Sequence, residues 1–148
     1  MGKLRTMAGI AASAAAMGTA MVVSAPAASA EGGTPCGVEA KACISLGSNQ
    51  AWLMSDGAVT YGGVPITSGK PGYETPPGSF KVTFKNIDHW SSAYDAPMPY
   101  AVFFTTSGIA FHEGSLTEQS HGCIHLSPEA AKAFFENLHP GDVVQVAA

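Results

Sequence analysis

The chain has 148 residues, 12% of them charged, and a net charge of −4 at pH 7 with its five histidines neutral. Its single arginine is Arg5, so five lysines and eleven acidic residues follow residue 30, which gives that part a net charge of −6. This balance argues against nucleic acid as a partner, because few cations could neutralise phosphate, and any acidic ligand must be held by lysine, histidine or backbone N–H groups.

The first thirty residues have the pattern of a secretory signal peptide. Lys3 and Arg5 precede an uncharged stretch of about 17 residues, and residues 28–30, Ala-Ser-Ala, suit a signal peptidase. A transmembrane anchor is the alternative, but the stretch is short and rich in Ala, Ser, Gly and Thr. We therefore expect cleavage after residue 30, no stable membrane insertion, and a location outside the cytoplasm, in the cell wall, the periplasm or the medium.

Residues 31–41 follow as a flexible segment, and the cysteines divide into a pair and a single residue. Cys36 and Cys43 lie seven positions apart near the start of the exported part, so an oxidising compartment favours a disulfide between them. Cys123 then has no partner. A free thiol in an exported domain is a liability unless it is buried, paired between chains or used chemically.

Residues 42–148 have the pattern of one mainly β domain. Asp56-Gly57 is a two-residue hairpin signal, whereas residues 86–97 look irregular. Trp52, Trp90 and two Phe-Phe pairs are expected in the core. The predicted strands are, in chain order, Cys43–Leu46, Ala51–Met54, Ala58–Tyr61, Val64–Ser68, Ser79–Lys85, Tyr100–Thr105, Ile109–His112 and Val143–Val146.

One helix is predicted, directly after Cys123. Ser127 is a suitable N-cap, Pro128 fits the first helical position, and Glu129 favours the positive end of the helix dipole. An apolar face follows as far as Leu138, and His139-Pro140-Gly141 ends the helix.

Histidines surround the unpaired cysteine. His121 and His125 flank Cys123, and His112 lies eleven residues before it, at the end of a predicted strand. A thiol near neutral pH needs a base for ready attack, and histidine exchanges protons in that range. The pattern therefore favours a cysteine nucleophile with a histidine base over a buried structural cysteine.

A zinc site is the other chemistry that these residues could support. Histidine and cysteine are common zinc ligands, but no carboxylate lies beside His121, Cys123 and His125 in sequence to orient the imidazoles. The pattern therefore favours a free thiol over a zinc site. The four candidate ligands are His112, His121, Cys123 and His125.

The segment Ser120-His121-Gly122-Cys123-Ile124, preceded by His112, resembles the signature of the L,D-transpeptidases, the YkuD-like catalytic domain. Gly69-Lys70 and the run Thr75-Pro76-Pro77-Gly78-Ser79-Phe80 are similar to an upstream segment of that family. The resemblance extends from about Ala42 to Val146. It implies a single β-sandwich or barrel-like domain with one principal helix after the nucleophile.

The resemblance also implies residue roles. Cys123 would be the nucleophile and His112 its general base, oriented by a backbone carbonyl of Glu113 or Gly114. The N–H groups of Gly122 and Cys123, with His121, would form an oxyanion hole. Ser120 would shape the turn. Apart from the resemblance, Lys70 and Tyr73 lie in a loop rich in Gly and Pro, where they either are solvated or border the substrate cleft.

Two features depart from the family pattern. His125 stands where the family commonly has Arg or Asn, a position tied to anchoring of the substrate or of a loop. The short interval between His112 and Cys123 predicts a tight loop over residues 113–119 and a more open cover over the site.

The reaction that the resemblance implies takes place on peptidoglycan stem peptides and requires no metal and no organic cofactor. The Cys123 thiolate would attack the carbonyl of the third residue of a tetrapeptide stem and expel D-alanine. An amine from a neighbouring stem would then give a 3→3 cross-link, whereas water would give carboxypeptidase activity. Other readings are a cell-wall cysteine peptidase, in which Cys usually precedes His, and a non-catalytic wall-binding module of the same fold.

Overall fold

Alternating apolar residues build two β-sheets in the computed structural model, which describes residues 33–148. The predicted signal peptide, residues 1–30, lies outside the described residues, and so does the beginning of the predicted flexible segment. The elements are β1 (Ala40–Ser45), β2 (Gln50–Ser55), β3 (Ala58–Pro65), β4 (Gly78–Lys81), β5 (Phe84–Ser91), β6 (Ala96–Phe103), β7 (Ala110–Glu113), β8 (Ile124–Leu126), α1 (Pro128–Asn137) and β9 (Val143–Ala147). The predicted mainly β domain with one principal helix is confirmed. Over residues 33–148, the structure contains no helix with the length and apolar character needed to cross a membrane.

The first sheet has five strands in the order β3-β2-β1-β9-β4. β1 is antiparallel to β2 and parallel to β9. Asp56 and Gly57 connect β2 to β3 with φ angles of 50° and 81°. Positive φ at both positions is what a type I′ hairpin turn requires, so the predicted hairpin is present.

The second sheet has the order β5-β6-β7-β8. Its first three strands are antiparallel, but β7 and β8 run parallel, with Phe111 opposite Ile124 and His112 opposite His125. The connection between these two parallel strands carries Cys123. This register decides which side chains meet at the site.

The core lies between the sheets, where helix α1 also packs. Phe134 of α1 is fully buried, with its ring 5.0 Å from that of Phe111 in β7 and 6.3 Å from that of Tyr61 in β3. The predicted N-cap holds, since Ser127 Oγ accepts the N–H of Ala130 at 3.2 Å. Helix α1 therefore covers the core face of β7 and β8 and leaves their opposite face to the site.

The disulfide between Cys36 and Cys43 is present, as predicted. It fastens the N-terminal segment to the five-stranded sheet, and Gly37 N–H also donates to Gln145 Oε1 at 2.7 Å. Strand β1 begins at Ala40, which is fully buried, so ordered structure starts two residues before the predicted domain boundary.

Residues 86–97, predicted as irregular, form most of a hairpin between β5 and β6. Strand β5 lies at the edge of its sheet, and five of its eight residues are exposed, among them the apolar Phe84, Ile87 and Trp90. An edge strand needs no strict apolar alternation, so the pattern gave no signal. The prediction that Trp90 is a core residue is wrong, because its side chain is 55% exposed.

Two predicted strands have different bounds in the structure. The predicted strand over residues 79–85 divides at Val82 and Thr83, where the chain passes from one sheet to the other. Val82 N–H donates to Asp142 O and Thr83 N–H to Phe103 O, both at 2.8 Å. The predicted strand over residues 64–68 is likewise reduced, since β3 ends at Pro65 and a single bridge joins Thr67 to His125.

Candidate active site

The parallel register of β7 and β8 brings the predicted catalytic residues to one face. Phe111, Ile124 and Leu126 point into the core and are fully buried. Because side chains alternate along a strand, His112, Cys123 and His125 face the other side. There they line a cavity of about 330 Å³. The remaining lining residues are Ser91, Tyr94, Ala96, Pro97, Met98, Ser107, Gly108, Ile109, Ser115, Glu118, Gln119, Ser120 and His121.

Buried hydroxyls hold the loop that carries Cys123. Ser120 Oγ accepts the N–H of Gly122 at 3.0 Å and donates to Cys123 O at 2.5 Å. Thr75 Oγ1 donates to Gly122 O at 2.7 Å and accepts the N–H of Gly69 at 3.1 Å. The upstream motif therefore helps to hold the loop that carries Cys123, and it does so through the Thr75 hydroxyl.

Gly122 is required by the backbone conformation of this loop. Its φ of 128° is one that residues with a side chain rarely adopt. The Gly122 N–H, which we expected in the oxyanion hole, is already bound to Ser120 Oγ. In the part of the chain that the structure describes, the N–H groups of His121 and Cys123 make no hydrogen bond, so these two remain available to an oxyanion.

Cys123 is a half-buried free thiol at the edge of a small apolar cluster that contains Met98, Ala101 and Phe103. Its Sγ lies 3.9 Å from Gly108 O. Burial raises the pKa of the Cys123 thiol, and a hydrogen bond from the backbone of Ala110 offsets this only in part. The resting group is therefore a neutral thiol that needs a base during attack.

The ring of His112 is oriented by a backbone carbonyl of its own strand. Its Nδ1 lies 2.7 Å from Glu113 O, and a carbonyl only accepts hydrogen bonds, so Nδ1 carries the proton and Nε2 keeps its lone pair. Of the two predicted carbonyls, the structure uses that of Glu113, while Gly114 N–H extends the β7–β8 pairing to Leu126 O at 3.1 Å. Burial lowers the pKa of His112 to about 4, which leaves the ring neutral at pH 7.

His125 lies against His112, with ring centroids 4.8 Å apart. Its Nδ1 is 3.0 Å from Ser115 O and 3.1 Å from Thr67 Oγ1. Burial lowers the pKa of His125 as well. The short loop before the nucleophile is compact, since Ser115 Oγ accepts the N–H groups of Thr117 and Glu118 at 3.1 and 2.9 Å.

The His121 ring is held between two tyrosines. It stacks on Tyr94 with centroids 4.0 Å apart and planes 14° apart, and it meets the edge of Tyr73 at 4.9 Å. Lys70 Nζ lies 5.2 Å from the centre of the Tyr73 ring, although neither Lys70 nor Tyr73 lines the cavity itself. Within residues 33–148, no three His, Cys, Asp or Glu side chains are arranged to hold a metal ion.

Sequence reasoning missed the β5–β6 hairpin as one wall of the site. Tyr94, Pro97 and Met98 line the cavity from this hairpin. The only local signal was an aromatic residue among turn formers. Its stacking partner His121 is 27 positions further along the chain, so no local pattern could identify the contact.

Comparison with known proteins gives consistent results over most of the chain. Residues 39–146 match the family model YkuD, described as the L,D-transpeptidase catalytic domain. The chain is 34% identical over 102 residues to L,D-transpeptidase 1 of Mycobacterium tuberculosis, an alignment that covers 56% of this chain and 41% of that protein.

Solved structures show the same similarity. An L,D-transpeptidase from Stackebrandtia nassauensis superposes with a TM-score of 0.68 at 32% identity, covering 72% of this chain and 54% of that one. An L,D-transpeptidase in complex with imipenem superposes with a TM-score of 0.66 at 29% identity, covering 72% and 57%. The chain thus spans roughly half the length of these relatives. Residues 39–146, which match the family model, include Cys123, His112 and the other residues that line the cavity. The chain belongs to the YkuD family of L,D-transpeptidase catalytic domains.

Proposed function

We propose that this chain is an exported cysteine L,D-transpeptidase that joins peptidoglycan stem peptides by 3→3 cross-links through an acyl-enzyme on Cys123. One observation carries the proposal. The free thiol of Cys123 and the unprotonated Nε2 of His112 face the same cavity, and the backbone carbonyl of Glu113 fixes the tautomer of His112. Membership of the family supplies the substrate class.

The first half-reaction uses the neutral thiol and the neutral imidazole. His112 Nε2 takes the proton from Cys123 Sγ as the sulfur attacks the carbonyl carbon of the third stem residue. The N–H groups of Cys123 and His121 stabilise the resulting oxyanion, and one such donor typically contributes about 3 kcal/mol. The imidazolium then gives its proton to the departing amine of D-alanine, which leaves a thioester.

Burial of His112 suits the second proton transfer. A ring whose pKa lies near 4 is a strong acid once protonated, so it delivers its proton readily to the leaving amine. In the second half-reaction the neutral ring takes a proton from the acceptor amine as that amine attacks the thioester. Attack by water at the same step gives L,D-carboxypeptidase activity.

The decisive experiment is acylation of the purified protein. Imipenem is the first probe, because a relative has been solved in complex with it. We expect a covalent adduct by intact-protein mass spectrometry, located on the peptide that contains Cys123, and none in Cys123→Ala. Absence of an adduct in the folded, reduced wild-type protein would refute a nucleophilic role for Cys123.

A second assay separates the possible reactions of the acyl-enzyme. The protein is incubated with a disaccharide tetrapeptide, and its products are separated by liquid chromatography. A cross-linked dimer supports transpeptidation, whereas tripeptide alone identifies the carboxypeptidase. If Cys123→Ala gives the same products as wild type, or wild type only binds the muropeptide, the proposal fails.

A further inference from the structure

We propose that His125 is a positioning residue for the base: as the pH falls it takes the first proton that the two adjacent imidazoles bind, and so delays protonation of His112 beside Cys123. The inference rests on the proposed function, because it concerns the base of that reaction. His125 occupies the position at which the sequence departs from the family pattern. Its contacts give that departure a physical role.

The two rings are placed side by side by the sheet itself. His112 and His125 are direct partners in the parallel register of β7 and β8, and their ring planes meet at 71°. His125 N–H also donates to Thr67 O at 3.0 Å, which anchors this end of β8. The pair is therefore part of the sheet rather than a chance contact of two mobile side chains.

The hydrogen bonds around His125 fix its tautomer. Thr67 has one hydroxyl proton, and it is given to Ser115 O at 2.6 Å. Thr67 Oγ1 can then only accept, and Ser115 O can only accept, so His125 Nδ1 must be the donor to both. The unprotonated nitrogen of neutral His125 is therefore Nε2, as it is in His112.

Two protons on this pair would repel each other with little compensation. Across residues 33–148, neither ring has a carboxylate oxygen within 4.0 Å of its nitrogens. The surrounding ionisable groups are His89 on β5, whose charge would add repulsion, Glu113 next along β7, and Cys123, His121 and Glu118 around the cavity. Because this repulsion opposes a second positive charge, the second ring stays neutral once the first is protonated.

The proton goes to His125 because that ring is the less buried of the two. His112 is 7% exposed, whereas His125 is only partly buried and has two acceptors at Nδ1. A protonated His125 lowers the pKa of His112 further, in the same direction as burial. His112 therefore remains a base at a pH where His125 already carries its proton.

Gly114 makes room for this arrangement. A Cβ at position 114 would lie 2.6 Å from two atoms of the His125 ring, closer than any normal contact. Gly114→Ala must therefore displace the ring without changing either histidine. It provides a second way to disturb the pair.

The test is the titration of individual histidine rings by NMR in the full chain, with ring signals assigned from single-histidine variants. In wild type we expect His125 to titrate at a higher pH than His112, whose midpoint lies near pH 4. His125→Asn keeps a donor for Ser115 O but removes the second imidazole. It should raise the His112 midpoint by about one pH unit, a tenfold gain in proton affinity. The acid limb of imipenem acylation should move in the same direction.

Matched variants distinguish this role from a general disturbance. Gly114→Ala should raise the His112 midpoint as His125→Asn does, and the double variant should add nothing further, because asparagine leaves room for the Cβ. His139→Asn, at an exposed histidine, should leave the midpoint unchanged. An unaltered His112 midpoint in folded His125→Asn overturns the inference. Failure of wild type to form an adduct at pH 8 would instead overturn the proposed function, and the titration would still report on the pair.

Discussion

Replacing Thr75 with valine tests whether one buried hydroxyl holds the nucleophile loop. Thr75 is 2% exposed, donates to Gly122 O at 2.7 Å and accepts the Gly69 N–H at 3.1 Å. Valine keeps the shape of the side chain but leaves one buried carbonyl and one buried N–H without partners. Each unsatisfied group costs about 1–3 kcal/mol, so the loss of two partners should lower the unfolding free energy by at least roughly 2 kcal/mol.

The expected effect on stability is large enough to measure by urea unfolding and by thermal melting. A loss of this size should lower the melting temperature by roughly 10 °C in a domain of this length. Because Gly122 precedes Cys123, acylation by imipenem should also slow by about tenfold or more. Thr60→Val, at an exposed position of β3, is the matched control and should stay within about 0.5 kcal/mol of wild type.

A loss of less than about 1 kcal/mol in Thr75→Val, together with acylation at the wild-type rate, would show that the Thr75 hydroxyl does not hold the loop that carries Cys123. Ser120 Oγ would then hold the loop by itself. That result would also mean that the upstream motif serves another purpose than support of the nucleophile.

Three further changes test separate parts of the structure. Replacing Cys36 and Cys43 together by serine should lower the unfolding free energy by about 2–3 kcal/mol in urea, with imipenem acylation unchanged; a loss of acylation would contradict the separation of this disulfide from the site. Tyr94→Ala should slow acylation about 2–10-fold, since a stacked pair contributes about 0.5–1.5 kcal/mol, whereas Trp90→Ala on the same hairpin should not change the rate. The unfolding free energy should fall as the pH drops from about 6.5 to about 4. In this range His112 binds a proton in the unfolded chain but not in the folded protein, where burial lowers its pKa to about 4. His112→Gln should remove up to about 3 kcal/mol of that pH dependence. If the unfolding free energy changes with pH equally in wild type and variant, His112 is not its source.

The parts of the fold that the sequence predicts well are those specified by local chemistry. The helix begins where Ser127 caps it, and the β2–β3 hairpin turns at Asp56-Gly57. The disulfide followed from cysteine spacing and the expected export of the chain. Each of these features depends on residues within one turn or one short loop.

The features that the sequence did not predict depend on distant contacts. The β5–β6 hairpin forms because β6 pairs with both β5 and β7, while β5 is the edge strand and is largely exposed to solvent. Val82 and Thr83 leave the strand pattern because Asp142 and Phe103 offer carbonyls to their N–H groups. The sequence motif likewise does not reveal that the Gly122 N–H donates a hydrogen bond to Ser120 Oγ, because this contact depends on the orientation of the Ser120 side chain.

Burial acts on both partners of the proposed catalytic pair so as to keep the proton on sulfur. It raises the pKa of the Cys123 thiol and lowers that of the His112 ring, so the ion pair is not the resting state. A carbonyl compound changes this balance, because the backbone N–H groups at the nucleophile stabilise the charge that forms as the proton moves. Alkylation by iodoacetamide displaces iodide at a carbon atom, so no oxyanion forms for these N–H groups to stabilise.

Iodoacetamide should therefore react slowly with the folded protein. With the disulfide intact, Cys123 is the free thiol of residues 33–148, and its labelling can be followed by mass spectrometry at pH 7.5. We expect labelling at least about tenfold slower in the folded protein than in urea, where the thiol regains its ordinary pKa near 8.5. Imipenem should show the opposite order, since only the folded site offers His112 and the oxyanion donors. Faster labelling of the folded protein by iodoacetamide would mean a resting thiolate, and the neutral-pair mechanism would then be wrong.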